Sequence, residues 1–286
     1  MKKRITIFTP TYNRCHTLPQ LYDSLCSQSN KNFCWLVVDD GSTDCTEELL
    51  STWINERKIE IVYIKQENSG KSMAFNKGIS LCNTELFTCV DSDDYLTDDA
   101  VDLILMTWLD CVDNCVGILC LREVSSVSDK MKNIGYTTLR DAYCKYGLKG
   151  DTMLVHKTDI IKKYRFPNFT GEKFVPEDYL YDKIDQDGKL MFFNKVLYRG
   201  KYLNDGYTCD MAKLIKNNPK GYNVFITQRL LFDYSLKQII FDIIRLIAIN
   251  QVLKSSDYKT NIVYPVLYFL LYPFGFLLFF LRYKFI

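Results

Sequence analysis

Leu86-Phe87-Thr88-Cys89-Val90-Asp91-Ser92-Asp93-Asp94 passes from a buried-type run into three carboxylates within four positions. The run Leu86–Val90 predicts a strand inside a sheet. Acidic side chains crowded at its carboxyl end repel one another unless positive charge sits between them. In open α/β sheets, ligands bind in the crevice beyond the carboxyl ends of the strands. Hard cations such as Mg²⁺ and Mn²⁺ take carboxylate oxygens there and bridge to phosphate. A capped turn opening the next helix uses the same residue types. On this stretch alone both readings stand.

Upstream, the same strand, loop and helix order repeats. Arg4–Thr9 reads as a buried strand running into the loop Pro10-Thr11-Tyr12-Asn13-Arg14, and Leu18, Leu21, Tyr22 and Leu25 then recur at helical spacing. Phe33–Val38 is a second strand ending in Asp39-Asp40-Gly41-Ser42, and Asp44 with Glu47 predicts a capping box for a helix through Trp53. Ile59–Ile64 is a third, followed by Glu67-Asn68-Ser69-Gly70-Lys71 and a helix over 72–81. After the opening stretch, Asp98–Leu109 is helical, with Asp94 capping the turn before it. Such alternation predicts an α/β fold with a mostly parallel sheet flanked by helices. The strand ends would then gather Thr9, Tyr12, Asn13, Arg14, Asp39, Asp40, Lys71, Asp91 and Asp93 along one edge. Carboxylates for ribose hydroxyls or metal, mixed with cations for phosphate, suit a nucleotide diphosphate with a divalent ion. Neither GxGxxG nor GxxxxGK[ST] follows the first strand.

The 286 residues allow one large α/β domain or two modest ones, and 48% hydrophobic content supplies a sizeable core. A net charge of +2 gives no bulk field for nucleic acid, so no nucleic-acid partner is expected. The eleven cysteines are scattered without paired spacing and read mostly as reduced, buried small hydrophobes of a cytosolic protein. His16 and His156 have no neighbouring ligand-type partner and read as structural or solvated. The apolar run after Met1-Lys2-Lys3-Arg4 is too short for a signal-peptide core.

The middle of the chain is less regular. Val116–Arg122 and Met153–His156 are strand candidates, 124–135 a polar loop, and Thr158 a cap for a helix through Tyr164. Turn-rich sequence then leads to Glu177-Asp178, acidic residues that also suit a helix N-terminus, and Leu190–Leu197 is a further strand. Residues 211–250 read as helical, with Ile239, Ile240, Ile243, Ile244 and Ile247 on one face, suited to packing or to a membrane surface. Ile262–Leu281 is uncharged and long enough to cross a bilayer as a helix. Pro265, Pro273 and Gly275 also allow a kinked, re-entrant or interfacial course. The organisation read from this is 1–210 as the main domain, in halves 1–110 and 111–210, with 211–260 as a helical extension and 261–286 as a membrane-associated tail.

Four motifs in order, Thr9-Pro10-Thr11-Tyr12-Asn13-Arg14, Val37-Val38-Asp39-Asp40-Gly41-Ser42-Thr43-Asp44, Asn68-Ser69-Gly70-Lys71 with Asn76-Lys77-Gly78, and Asp91-Ser92-Asp93-Asp94, resemble glycosyltransferase family 2. The resemblance covers the first hundred residues. It implies the GT-A fold and an inverting, metal-dependent transferase using a nucleotide sugar. It places Asp39 on the base, the loop holding Thr9, Pro10, Tyr12, Asn13 and Arg14 along the nucleotide, and Lys71 near the diphosphate. Many members carry an Arg near Asn76. Asp91-Ser92-Asp93 matches the DxD motif, with Asp93 the ligand for Mn²⁺ or Mg²⁺ and Asp91 serving ribose or the metal. Glu177-Asp178 resembles the acceptor-side motif, in which the Asp is the base and Glu177 orients it or binds the acceptor. Tyr198–Thr208, which contains Tyr202-Leu203-Asn204-Asp205-Gly206-Tyr207-Thr208, resembles the segment that closes over the donor. The implied partners are a UDP-sugar, a glycan or lipid-linked acceptor, and the cytoplasmic face of a membrane, in cell-surface polysaccharide assembly. A nucleotidyltransferase acting on sugar phosphates, or an inactive nucleotide-sugar-binding protein, stays open as an alternative.

Overall fold

Residues 3–200, 210–232, 234–254 and 258–284 are described by a computed structural model. Apolar runs and turn residues alternate from the start of the chain, and the elements follow them: β1 (Ile5–Thr11), α1 (Leu18–Cys26), β2 (Phe33–Asp39), α2 (Thr46–Glu56), β3 (Ile61–Lys65), α3 (Lys71–Leu81), β4 (Leu86–Cys89), β5 (Asp94–Leu96) and α4 (Ala100–Leu109). β1 is buried throughout, as a strand covered on both faces must be. β2–β1, β1–β4 and β2–β3 pair in parallel, which brings the ends of β1, β2, β3 and β4 to one edge. Phe8 of β1 packs against Phe75 of α3 and Phe87 of β4 at ring separations of 5.2 and 5.4 Å. Tyr22, Trp35 and Trp53 form a second aromatic group, with Tyr22 and Trp53 4.2 Å apart.

The following elements are β6 (Cys115–Arg122), α5 (Asp129–Lys132), β7 (Tyr136–Thr137), α6 (Leu139–Cys144), β8 (Thr152–Lys157), α7 (Thr158–Ile161), α8 (Asp178–Ile184) and β9 (Lys189–Gly200). The strand order is β3-β2-β1-β4-β8-β6-β9-β5, with β7 beside β9. β8 runs antiparallel to β4 and β6, as do β5 and β7 to β9, so the sheet is parallel in its first half and mixed in its second. Three local expectations need correction. Thr158 does not cap α7 but opens its first turn, with Lys157 before it. The polar stretch 124–135 is not all loop, because α5 forms in it behind the Ser128 cap and buries Met131. Asp94 is not a turn cap: it is a buried residue of β5.

Two compact units divide the chain: Met1–Arg165 with Tyr181–Leu203, and Phe166–Leu180 with Asn204–Ile286. In the second, the span read as one helical region is three helices, α9 (Met211–Asn217), α10 (Pro219–Arg229) and α11 (Leu236–Leu253), followed by α12 (Pro265–Arg282). Pro219 lacks an amide hydrogen and pushes Asn218 out of helical geometry, to φ −131° and ψ 54°, which ends α9. Ser235 then starts α11 by accepting a hydrogen bond from the Gln238 N–H. α10 and α12 pack on α11, covering Ile243 and Ile247, so the apolar face of α11 is a packing face. α12 continues through Pro273 as one helix.

Candidate active site

The loops at the parallel edge are held by side chains that the motifs supply. Asp40 accepts hydrogen bonds from the Ser69 N–H and the Gln66 amide at 2.8 Å and from the Gly70 N–H at 2.7 Å, fastening the loop after β3 to the end of β2. Gly70 has φ 92°, a conformation costly for residues with a Cβ, and it sets Lys71 at the first turn of α3. Gly41, at φ 83°, turns so close to this loop that a Cβ would meet the Asn68 nitrogen at 3.0 Å. Asp39 is fully buried and accepts from the Ser42 N–H and the Tyr63 hydroxyl, both at 2.8 Å. Burial and this carboxylate together raise the Tyr63 phenol well above its ordinary pKa.

The first and second loops are joined as well. Asn13, at φ 52°, donates its N–H to Ser42 Oγ and accepts from the Thr43 N–H, each at 2.8 Å. The expected capping box at Asp44 does not form. Cys45 is the N-cap of α2, and Asp44 instead accepts from the Cys15 and Thr46 N–H groups at 3.1 Å. Cys15 and Cys45 form a disulfide with Cα atoms 5.7 Å apart, a pairing that the scattered spacing did not suggest. In a reducing compartment such a bond would not persist, but the Asn13 and Asp44 hydrogen bonds join the same loops without it. Thr9 and Pro10 are buried, Thr9 Oγ1 accepting from Trp35 Nε1 at 3.0 Å, whereas Tyr12 is exposed. Arg14 and Asn76 are half-buried.

Beyond β4, one carboxylate oxygen from each of Asp91, Asp93 and Asp94 lies within 4.8 Å of the others. Lys71 Nζ reaches Asp91 Oδ1 at 2.7 Å, joining the third and fourth loops. Arg122, at the end of β6, reaches Asp94 at 2.7 Å and Asp151 at 2.8 Å, and its side chain is only 8% exposed. Tyr198 of β9 accepts the Asp91 N–H at 3.1 Å, shares a hydrogen bond with Asp94, and lies under the Arg122 guanidinium. Burial pushes Asp94 up to about 6 against the pull of Tyr198 and Arg122. Burial, then the neighbouring Asp91 charge, raises Asp93 above the ordinary carboxylate range, and Arg14 and Lys71 counter this only in part. With Asp94 committed to Arg122 and Asp91 paired with Lys71, Asp93 is the least compensated of the three carboxylates. Hard oxygen donors at this spacing fit a divalent cation.

Asp94 therefore has a structural task distinct from that of Asp93. Asp94→Ala should destabilise the fold by about 3 kcal/mol, since it takes from a buried guanidinium its buried carboxylate. Urea denaturation checks this, and an unchanged midpoint would refute it. Arg122 and Tyr63 were missed in the sequence, and Tyr198 was read only as the start of the segment expected to close over the donor. Arg122 alone left a signal, a charged residue closing an otherwise apolar strand.

In the second unit, the segment leading to Glu177 and Asp178 is tied down by polar contacts. Glu172 accepts from the Lys220 and Gly221 N–H groups at 3.0 and 2.8 Å, and Asn218 Oδ1 from the Lys173 and Phe174 N–H groups at 2.7 and 3.1 Å. Gln228 donates to the Tyr179 carbonyl at 2.8 Å. Asp178 is the first residue of α8 and is exposed, and Glu177 is half-buried before it. Of the segment Tyr198–Thr208, the first three residues close β9 and 201–208 lie outside the described residues. Of the two histidines, His156 is buried against Tyr181, and burial pushes it down to about 4, so it is neutral at ordinary pH.

The sequence pattern of "Glycosyl transferase family 2" matches residues 6–156, more than half of the chain. The chain is 30% identical over 133 residues to the putative teichuronic acid biosynthesis glycosyltransferase TuaG of Bacillus subtilis, covering 45% of this chain and 52% of that one. Other curated glycosyltransferases are much longer, and the match takes in 14% to 17% of their length. Among solved structures, S. aureus TarS 1-349 in complex with UDP-GlcNAc superimposes with a TM-score of 0.60 at 18% identity, over 88% of this chain and 73% of that one. The mannosyltransferase PcManGT from Pyrobaculum calidifontis, in complex with GDP-Man and Mn²⁺, gives 0.58 at 15% identity, over 97% and 81%. At such identities these likenesses show the fold.

Proposed function

Since this chain belongs to glycosyltransferase family 2, we propose that it transfers a sugar, with inversion, from a UDP-sugar to a hydroxyl of a saccharide or lipid-linked acceptor. The observation that carries this reading is the Asp91-Asp93-Asp94 group with Lys71 at the edge where the first four strands end. Asp39 would face the base, and the loop of Thr9, Pro10, Tyr12, Asn13 and Arg14 would run along the nucleotide. Lys71, with Asn76 one turn further on, would meet the diphosphate. Asp91 and Ser92 would border the ribose. Asp93, with Asp91, would hold Mn²⁺ or Mg²⁺, which when bound would neutralise charge on the diphosphate. PcManGT, solved with GDP-Man and Mn²⁺, supports the cation, and TarS, solved with UDP-GlcNAc, supports the donor class.

At the acceptor, Asp178 takes the hydroxyl proton as that oxygen bonds to the anomeric carbon, and Glu177 orients it. The bond from the anomeric carbon to the nucleotide diphosphate breaks on the opposite face. Lys71 then meets the charge developing on the leaving group. Work in surface-polysaccharide assembly is supported by the likeness to TuaG, and attachment to a membrane, on its cytoplasmic side in this reading, by α12, which is long and apolar enough to cross one. The test is a screen of nucleotide sugars with Mn²⁺ or Mg²⁺ against saccharide acceptors. A UDP-sugar should be consumed with release of UDP and loss of turnover on chelation. Binding without hydrolysis or transfer of any donor would mark an inactive binding protein, and pyrophosphate release from nucleoside triphosphates would mark a nucleotidyltransferase.

A further inference from the structure

The partners of α12 decide how it can meet a membrane. One face of α12 lies antiparallel along α11. Tyr268 accepts from the Asn250 amide at 3.0 Å, Tyr272 donates to Gln251 at 3.4 Å, and a Cβ at Gly275 would stand 2.4 Å from that of Ile247. Behind α11, the joint with α10 is polar. Asp242, 1% exposed, holds Arg229 of α10 at 2.9 Å and Arg245 at 3.1 Å, and Asn223 donates to Asn250 at 2.7 Å. The other face of α12 is bare and apolar: Val266, Phe269, Leu270, Phe274, Leu277 and Leu281 are each more than half exposed, Phe269 to 81%. These positions recur at helical spacing and form one stripe.

We propose that α12 lies in the plane of a single leaflet of an anionic membrane, with this stripe sunk into it, and does not cross. The proposal rests on the membrane reading above and adds the mode of attachment. A crossing α12 would carry α11 with it, taking Asp242, Arg245, Arg229 and Asn250 to hydrocarbon depth, where charged groups are costly and polar ones need internal partners. In the plane, only apolar side chains enter the lipid. The charge fits as well: from Tyr258 to Lys284 the charged residues are Lys259, Arg282 and Lys284, with no Asp or Glu. Counted from Lys254, the C-cap of α11, the segment to Lys284 also holds Asp257 and carries a net charge of +3. Basic residues beside a buried apolar stripe favour anionic headgroups.

The experiment adds the full-length chain, with a C-terminal epitope tag, to preformed vesicles of phosphatidylethanolamine and phosphatidylglycerol, followed by flotation and external protease. The protein should float with the vesicles and the tag should be cleaved. Replacing phosphatidylglycerol with phosphatidylcholine should weaken partition about tenfold or more. The exposed double variant Phe269→Ala/Leu277→Ala should weaken it on the order of 100-fold, with an unchanged melting temperature. A tag protected inside the vesicles would mean a crossing helix and would overturn the proposal while leaving membrane attachment intact. No flotation at any composition would overturn both. A dimer that does not float, and that the double variant dissociates, would assign the stripe to a second copy of this chain and also overturn the proposal.

Discussion

Asp93→Ala is expected to lower sugar transfer by at least about 10³-fold and to weaken donor binding, while the fold stays at least as stable as the parent. The loss follows from removing the least compensated carboxylate of the site, and with it the charge balance needed at the leaving diphosphate. The stability half of the prediction separates a binding role from a structural one. Burial and Asp91 raise Asp93 above its ordinary 3.8, so the folded chain holds this proton more tightly than the unfolded chain. With a raised carboxylate, stability falls as pH rises from the ordinary value through the raised one. The alanine variant escapes that fall, so its stability relative to the parent should improve from acid towards neutral pH in metal-free buffer. Asp94→Ala should instead be less stable than the parent outright, because it strips Arg122 of its buried carboxylate, although its raised pKa gives the same direction of pH dependence. Transfer assays with Mn²⁺ and denaturation with chelator check both halves. A variant that transfers at the parent rate, or that unfolds as readily as Asp94→Ala, would remove Asp93 from the role.

The contrast between these neighbours marks how far the sequence could be read. Periodicity located β1–β4 and the helices between them, because buried parallel strands are apolar runs and the turns after them need Gly41 and Gly70. Charge at the strand ends then pointed to the edge where ligands bind. What periodicity does not carry is which long-range partner each charge meets. Arg122 lies 28 positions from Asp94, and Tyr198 lies 107 from Asp91. Those pairings depend on β6 and β9 joining the same sheet, with β8 turned antiparallel between β4 and β6. Asp40 also shows the limit: its type and place suit a ligand contact, yet its oxygens brace the loop that presents Lys71. The capping box failed for a similar reason. Asp44 was drawn across to the Cys15 N–H of the first loop, a competitor that local spacing cannot reveal.

Asp178→Asn is expected to lower transfer by about 10³-fold, within the range for loss of a general base, with donor affinity changed less than about twofold. The asparagine keeps the shape and hydrogen-bonding capacity of the side chain but cannot take a proton. Asp178 opens α8, where a carboxylate also interacts with the helix dipole, worth about 0.3–1 kcal/mol. A purely structural Asp178 would therefore cost a little stability and almost no rate. The two roles diverge in kinetics as well. Loss of a base lowers kcat and removes the acidic limb that its titration gives to the rate profile, whereas a helix-start contact moves neither. Glu177→Gln tests the neighbour. If Glu177 only orients Asp178 or the acceptor, its loss should be smaller and should fall on acceptor KM as well as kcat. The pairing with Asp93→Ala gives the sharpest reading: the first variant loses donor binding and rate together, the second rate alone. An Asp178→Asn enzyme with full activity would assign the proton to another group. One that lost donor affinity as far as Asp93→Ala would place Asp178 among the donor contacts.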